Sequence, residues 1–478
     1  MLERTSPREH ERLDGRGSER VVRLTKDWHT VVPHVMPVTR APVKRVVTTR
    51  STSLAPRVVI LGGGFAGVST AHELARRCAG VLPVHITLIS DQNFYLFTPL
   101  LAEATTGAVE AHHVIYPIRP LLCAKLGVEF GEMTVEAIDL ERRRVTACHR
   151  RSPGHQEIPY DMLVLALGVA PDTTTAPGVE EYALGFKAVG DAYRVRNHVI
   201  DQFEAAALTD DPMERRRLLT FVVVGAGHAG TELVAALEEL TRGILLRHYS
   251  AIPRSAVRLV LVSTAVLPQT ATRLAAYAKK ELLKRGIHFL PARAAKVSPE
   301  GLTLQDGRLI ASGSVIWTAG TRVSPLVANL PVRKTKDGRV KVNGYFEVEE
   351  FPGVYALGDN AAQVNPHTGG TYVATAQVAV RQGRALAAVI ESELTGRPKR
   401  SFAIREHAEM VPLSRHTAVA DLLGLKLGGV PAWVMWKIVY MFKLPTLAAR
   451  LRAVFDWTVE MFFQRDVSEL VVGGRRNV

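Results

Sequence analysis

The chain has 478 residues, 47% hydrophobic and 22% charged, with a formal net charge of +14. That is length for about three domains and a globular rather than disordered composition, and the basic excess favours acidic partners: nucleic acid, an anionic membrane surface or phosphorylated ligands. The three cysteines, Cys78, Cys123 and Cys148, are too scattered for a disulfide framework or a tetrahedral zinc site, so no metal is expected, and no apolar run reaches the roughly 18 residues of a spanning helix.

Residues 1–56 carry eleven Arg/Lys against six Asp/Glu, five prolines and no sustained apolar period. They read as a basic, disordered extension without the apolar core of a signal peptide, and Met36 is a candidate alternative start. Order is expected from Arg57. Arg57-Val-Val-Ile-Leu61 reads as a buried parallel strand, Gly62-Gly-Gly-Phe-Ala-Gly67 as a turn, 69–77 as a helix and 84–90 as the next strand, which together make a βαβ unit. The same syntax returns in strand 220–224, turn Gly225-Ala-Gly-His-Ala-Gly230, helix 231–241 and strand 257–263. The fold class is therefore α/β, with two Rossmann-like dinucleotide-binding units, the second inserted before the first is complete. Val315-Ile-Trp-Thr-Ala-Gly320 and Val354-Tyr-Ala-Leu-Gly-Asp359 each end a strand on a glycine, and a helix is expected over about 374–394. Residues 422–455 are apolar and aromatic, with Lys426, Lys437, Lys443, Arg450 and Arg452 and no acid. The expected domains are the extension 1–56, a discontinuous flavin-type domain 57–175 and 321–421, a nicotinamide-type domain 176–320, and an amphipathic helical module 422–478.

Each glycine turn stands between a strand and a helix, the context that makes the G-x-G-x-x-G pattern informative. Gly62 and Gly225 allow the tight turn, Gly64 and Gly227 let the backbone approach a pyrophosphate, and Gly67 and Gly230 let helix and strand pack. The phosphate would then sit on free N–H groups at a positive helix end. The ribose-binding acid departs from the usual pattern. Ser90 precedes Asp91 in the first unit, and Ser263 stands alone in the second, where no carboxylate repels a 2′-phosphate; NADH is favoured and NADPH is not excluded. Two such units suggest a fixed flavin and a visiting nicotinamide. Asp359 after Gly358 can accept from a ribityl hydroxyl, with capping of the next segment as the alternative. The start of the long helix, Ala376-Gln377, can stabilise a reduced flavin ring, and Gln377 and Arg381 share a helical face. Glu232, in the first turn of the second glycine-turn helix, is either a dipole partner or a proton carrier facing a nicotinamide. Trp433, Trp436 and Tyr440 recur at i, i+3 and i+7 with flanking lysines, a stripe expected to lie in an anionic membrane interface; packing on the protein's own core or on a second subunit is the alternative. No nucleic-acid-binding signature accompanies the basic balance.

Taken together, Leu61-Gly-Gly-Gly-Phe-Ala-Gly67, Phe97-Thr-Pro-Leu-Leu101, Tyr160-Asp-Met-Leu-Val-Leu-Ala166, Val224-Gly-Ala-Gly227 with Thr231-Glu-Leu233, Ile316-Trp-Thr-Ala-Gly320, Ala356-Leu-Gly-Asp359 and Thr375-Ala-Gln-Val-Ala379 resemble the type II NADH dehydrogenases, single-subunit, FAD-dependent NADH:quinone oxidoreductases on the membrane surface. The resemblance spans about 57–463. It implies FAD on the first unit, held by Gly62, Gly64, Phe65, Ala66, Gly67, Asp91, Gly168, Gly320, Gly358, Asp359 and Ala376, with Thr98, Pro99 and Leu100 around the flavin ring. It implies NADH on Gly225, Gly227, Gly230 and Ser263, Glu232 as a functional glutamate near nicotinamide and flavin, and Gln377 at a quinone pocket opened by a C-terminal membrane anchor.

Three positions depart from the family pattern: Arg381 stands where a second glutamine is usual, with Gln382 next, Thr98 replaces a common glutamine and His228 a common proline. Arg381 bears on which acceptor is used. The expected function is hydride transfer from NADH to flavin and then two electrons to a membrane quinone, without proton pumping, by a peripheral protein of the cytoplasmic membrane face; a homodimer stays open. The competing readings are a soluble NAD(P)H oxidoreductase with a protein or oxygen acceptor, and a flavin-bearing redox sensor.

Overall fold

The computed structural model describes residues 55–469 apart from 153, 406, 407, 423, 424, 464 and 466. The expected extension up to residue 54, and Met36 within it, lie outside the described residues.

The first sheet has five parallel strands in the spatial order Val354–Ala356, Met162–Leu165, Arg57–Leu61, His85–Ser90, Glu129–Glu132. Its central strand is buried from Val58 to Leu61, and the period-2 alternation of a strand divides those side chains between two covers. Val58 and Ile60 pack with the helices Phe65–Cys78 and Ala376–Thr395. Val59 and Leu61 pack with the antiparallel strands Thr134–Asp139, Arg144–Cys148 and His155–Pro159. A run buried on both faces must be apolar at every position, which is why this strand reads as continuous rather than alternating.

The second sheet repeats the plan with Leu184–Gly185, Ser314–Trp317, Thr220–Val224, Arg258–Ser263 and Ile287–Pro291, all parallel. Phe221 and Val223 face the helical side, while Val222 and Val224 face a second antiparallel trio, Ala294–Ser298, Gly301–Leu304 and Leu309–Ala311. The chain leaves the first unit through Val169–Pro171 and returns through Thr321–Val323, and these two crossings pair with each other.

An antiparallel sheet of Ala408–Ser414, Thr417–Leu422 and Leu425–Gly428 follows. It runs across the 421/422 position where composition changes, so that position lies inside a sheet. Val411, Leu413 and Val419 join the core of the second unit, whereas Met410, Ala418 and Ala420 join that of the first. Alternate residues of one small sheet therefore tie the two units together. The helices Gly429–Lys443 and Leu447–Phe462 close the described chain. No described helix is long and apolar enough to cross a membrane.

The aromatic stripe corrects an expectation. Trp436 and Tyr440 are only 1% and 9% exposed and belong, with Ala432 and Trp457, to the first unit's core. Helix Gly429–Lys443 is apolar on two opposite sides, and the large rings fill the inner one. The outer side carries Val430, Val434, Ile438 and Phe442, the last 62% exposed, and the next helix adds Leu447, Leu451 and Phe455. Lys437 likewise points inward, 8% exposed, rather than toward solvent.

Candidate active site

At the first glycine turn each glycine has its own physical reason. Gly62 has φ +113°, and a Cβ there would lie 2.2 Å from the Ala166 carbonyl oxygen. A Cβ on Gly67 would lie 2.0 Å from the Gly62 carbonyl oxygen. Gly64 has nothing within 4 Å. It caps helix Phe65–Cys78 without a side-chain hydrogen bond, and no acid stands in the first turn. Free N–H groups at a positive helix end, facing open space, are what a diphosphate requires.

Around this turn, Gly358 comes close enough that its Cβ would sit 3.1 Å from the Ala66 Cβ. Its N–H donates to Gln382 Oε1 at 2.9 Å, and Gln382 Nε2 donates to Gln363 Oε1 at 3.2 Å. Asn360 accepts from the Gly168 N–H at 3.0 Å and donates to the Leu165 carbonyl at 3.1 Å. Asp359, between these anchored neighbours, remains partly exposed. Thr98–Leu100 form a short 3₁₀ turn whose preceding Phe97 packs on Phe65 and Tyr440, with ring centroids 5.9 and 6.2 Å apart. Asp91 is exposed just past its strand, while Ser90 is buried beneath Gly63.

The second turn repeats the logic. Gly225 has φ +101°, a Cβ on Gly230 would lie 1.9 Å from the Gly225 carbonyl oxygen, and Gly227 has nothing within 4 Å. The Thr318 hydroxyl braces the turn, 2.8 and 2.9 Å from the carbonyl oxygens of Val224 and Gly225. Ser263 ends its strand, partly exposed. Gly320, with φ +73°, follows the Thr318-Ala319 stretch that packs on the second turn, and its carbonyl accepts from Asp172 N–H at 3.2 Å.

The C-terminal helix brings the remaining candidates together. Burial pushes the Glu232 carboxyl well above the ordinary carboxylate range, and the negative charge of Glu103 adds to it. Burial raises the pKa of the Tyr440 phenol, the charge of Glu232 adds to the rise, and Gln377 opposes it. Glu232 and Gln377, from two other segments, thus both bear on the Tyr440 phenol. Arg381, one turn beyond Gln377, is exposed. Lys443 is held down to about 8 by burial of its ammonium and by the charge of Arg381, and that ammonium lies 4.6 Å from the Tyr440 ring centroid.

The same helix also joins an ionic cluster that sequence reasoning missed. Lys437 Nζ is 3.2 Å from Glu103 Oε1 and 3.9 Å from Glu460 Oε2, Trp457 Nε1 donates to Glu103 Oε2 at 3.0 Å, and Lys437 Nζ stands 4.3 Å from the Trp457 ring centroid. Arg465 bridges Glu460, Glu239 and the Thr106 hydroxyl. The available signal was Glu103, an acid following Phe-Thr-Pro-Leu-Leu, opposite a lysine set among aromatics in an acid-free segment. The cysteines are free: Cys78 is buried, and burial raises the pKa of Cys78 and of Cys123. Among the described residues no group of three His, Cys, Asp or Glu is arranged to hold a metal.

Two family models match the chain: pyridine nucleotide-disulphide oxidoreductase over residues 56–383, and the NDH2 C-terminal domain over 413–466. A type II NADH:quinone oxidoreductase of Mycobacterium tuberculosis is 31% identical over 424 residues, 86% of this chain and 89% of the relative. A demethylphylloquinone reductase of Synechocystis is 30% identical over 411 residues, 85% and 96% of the two chains. Among solved structures, NDH2 of Plasmodium falciparum in complex with NADH superposes with a TM-score of 0.79 at 19% identity, covering 86% of this chain and 99% of that one.

Proposed function

The chain belongs to the type II NADH:quinone oxidoreductase family, and from that premise we propose that it reduces a membrane quinone with electrons from NADH at the site of Glu232, Gln377 and Tyr440. Bound FAD would supply the redox chemistry, taking a hydride from NADH and passing two electrons to the quinone. The residues fit both dinucleotides. Each glycine turn offers an uncapped helix start and an open position, Gly64 or Gly227, where a pyrophosphate can approach. In this reading Asp359 binds the ribityl chain, Asp91 the ribose of FAD, and Ser263 the ribose of NADH.

Quinone reduction consumes two protons. Glu232, whose carboxyl is pushed well above the ordinary carboxylate range by burial and by the charge of Glu103, is the candidate general acid, and the Tyr440 phenol is within reach of its charge. The observation that carries the proposal is the pair of open, uncapped glycine turns, one on each dinucleotide unit. Its test is anaerobic stopped-flow mixing of FAD-loaded protein with NADH and then a quinone. Flavin absorbance should bleach and then return within turnover time; a flavin that NADH leaves oxidised would sink the proposal, and slow reoxidation by every quinone would favour a sensor.

Peripheral attachment belongs to the same proposal, on the cytoplasmic membrane face. Its support is the outer apolar side formed by Val434, Ile438, Phe442, Leu451 and Phe455, each contributing about 1.5–3 kcal/mol if fully buried. Removing residues 422–478 would strip Trp436, Tyr440 and Trp457 from the core, so Val434→Asp with Phe455→Asp is the cleaner test. The double variant should lose cosedimentation with anionic liposomes and keep NADH-dependent flavin bleaching. A wild type that never sediments would favour a soluble acceptor.

A further inference from the structure

We infer that the second dinucleotide unit carries another anion site, away from its glycine turn, in which Arg215, Arg216 and Arg258 hold a small phosphorylated ligand of two or more negative charges. A cavity of about 450 Å³ lies there, walled by these arginines with Ser255 and His288, a volume within the roughly 300–1,000 Å³ of small-ligand sites. The inference goes beyond the quinone reading and stands without it.

The placement follows from strand geometry. Arg258 opens the strand Arg258–Ser263, whose Val260 and Val262 pack on the side of the antiparallel trio, and the period of two puts Arg258 on that face. Val260 lies opposite His288 in the parallel register, so the imidazole shares the face. Arg216 is delivered by the helix Pro212–Leu218: its carbonyl accepts from the Thr220 hydroxyl at 2.7 Å, and Thr220 is the register partner of Arg258. Arg215 is fixed by donating from Nε to the Ala206 carbonyl at 3.1 Å and from Nη2 to the Thr209 carbonyl. The cavity is thus at the amino end of the sheet. Ser263 ends the same strand at the carboxyl end, about 17 Å away at roughly 3.3 Å per residue.

The arginines at this cavity keep their charge. Among the described residues, the guanidinium groups of Arg216 and Arg258 make no ion pair and no hydrogen bond. Burial lowers the pKa of Arg258, and the charge of Arg216 lowers it further. Glu214 is held by Arg217 through two bonds of 2.7 Å, and Asp211 caps its helix by accepting from the Met213 N–H at 2.8 Å. The neighbouring cavity, which shares Ser255, is different. There Glu238 pairs with Arg285 and with Arg254, and Arg242 donates to the carbonyls of Val257, Arg285 and Gly286. The fold answers one set of arginines and leaves the other with only carbonyl partners or none. Holding like charges together is unfavourable until an anion arrives, and a phosphate then gains charge-assisted, bidentate contacts from planar guanidinium groups. No Phe, Tyr or Trp lines the cavity, so recognition is by charge rather than by a stacked ring.

The test titrates inorganic pyrophosphate by calorimetry into FAD-loaded full-length protein saturated with NAD+, so that both glycine turns are filled. Wild type should bind one pyrophosphate per chain. Arg216→Gln and Arg258→Gln should each weaken binding about tenfold, the effect of losing one charge-assisted contact, and Arg258→Lys, which keeps the charge without the fork, should fall between. Melting temperature tells a ligand-binding arginine from a structural one. Arg258→Gln relieves like-charge crowding and should melt no lower than wild type, while pyrophosphate should raise the wild type's melting temperature more than the variant's. Flavin bleaching by NADH should be unchanged in both glutamine variants, because the site lies at the far end of the strand; its failure in wild type would count against the quinone reading alone. Sedimentation with phosphatidylcholine vesicles containing phosphatidic acid assigns the source of the phosphate: a loss in both glutamine variants makes it a lipid headgroup, and no change makes it a free ester. A wild type that does not bind pyrophosphate, or a dissociation constant that moves less than twofold in both variants, overturns the inference. So does weakened binding that comes only with a lowered melting temperature in both.

Discussion

Gly227→Ala separates nucleotide binding from folding. Gly227 has φ −69° and ψ −171°, a backbone any residue adopts, and a Cβ there meets nothing within 4 Å. Alanine should therefore fold as well as glycine, and loss of freedom in the unfolded chain would add about 0.4–1 kcal/mol of stability. The same methyl projects into the space where a pyrophosphate must approach the helix N-terminus. Displacing the phosphate from one or two N–H groups removes charge-assisted contacts of about 1.5–3 kcal/mol each, so about 3 kcal/mol is lost and the NADH dependence of flavin bleaching shifts roughly a hundredfold to higher concentration. Gly230→Ala is the contrasting variant. Its Cβ would stand 1.9 Å from the Gly225 carbonyl oxygen and 2.5 Å from Thr318 Oγ1, both fixed by the turn. That overlap costs more than about 4 kcal/mol, a large part of a typical domain's stability, and the protein should fail to accumulate in folded form. The assay is stopped-flow bleaching across NADH concentrations together with a thermal melt. An unchanged NADH dependence in the Gly227 variant, or a wild-type melt in the Gly230 variant, would refute the reasoning.

Glu232→Gln should lower turnover with quinone about a hundredfold or more while flavin content is kept; an unchanged turnover would remove Glu232 from proton handling. The same variant has a signed effect on stability. The folded carboxyl keeps its proton above the ordinary 4.5 whereas the unfolded one releases it, so the wild type loses stability as pH rises above that value. The melting temperature of Glu232→Gln should therefore exceed the wild type's by a margin that widens as pH rises above about 4.5, and a constant margin would contradict it. Lys437→Met leaves Glu103 without its cation while Glu460 keeps Arg465, at a cost of about 3 kcal/mol and a melting temperature lower by about 3–4 °C; adding Glu103→Gln should recover part of the loss, and a double variant no more stable than the single would count against the cluster.

Local patterns carried much of the fold. A strand buried on both faces must be apolar throughout, and a phosphate-binding turn needs glycine at fixed offsets for steric reasons confined to a few residues, so both βαβ units were legible from 57–67 and 220–230. The departures at Ser90, Ser263 and Arg381 were legible in the same way, because the presence of a carboxylate or an amide at a known offset is a local fact. The C-terminal helix was not. Its residues are apolar or aromatic on two opposite sides, and a helix of that kind carries no internal sign of which side faces inward. Packing decided it: Ala432, Trp436 and Tyr440 filled the core and Val434, Ile438 and Phe442 were left outside. Once Tyr440 turned inward its ring packed on Phe97 and Trp436, and Lys437 met Glu103. Glu103, Glu232, Gln377, Lys437 and Tyr440 are spread from position 103 to 440, and only the meeting of two domains with a third segment brings them within reach. The amino-acid sequence by itself determined the two nucleotide cradles, where chemistry follows from neighbours in the chain. The tertiary structure alone decided which acid has its pKa raised by burial and which lysine meets carboxylates, because both depend on groups contributed from distant parts of the chain.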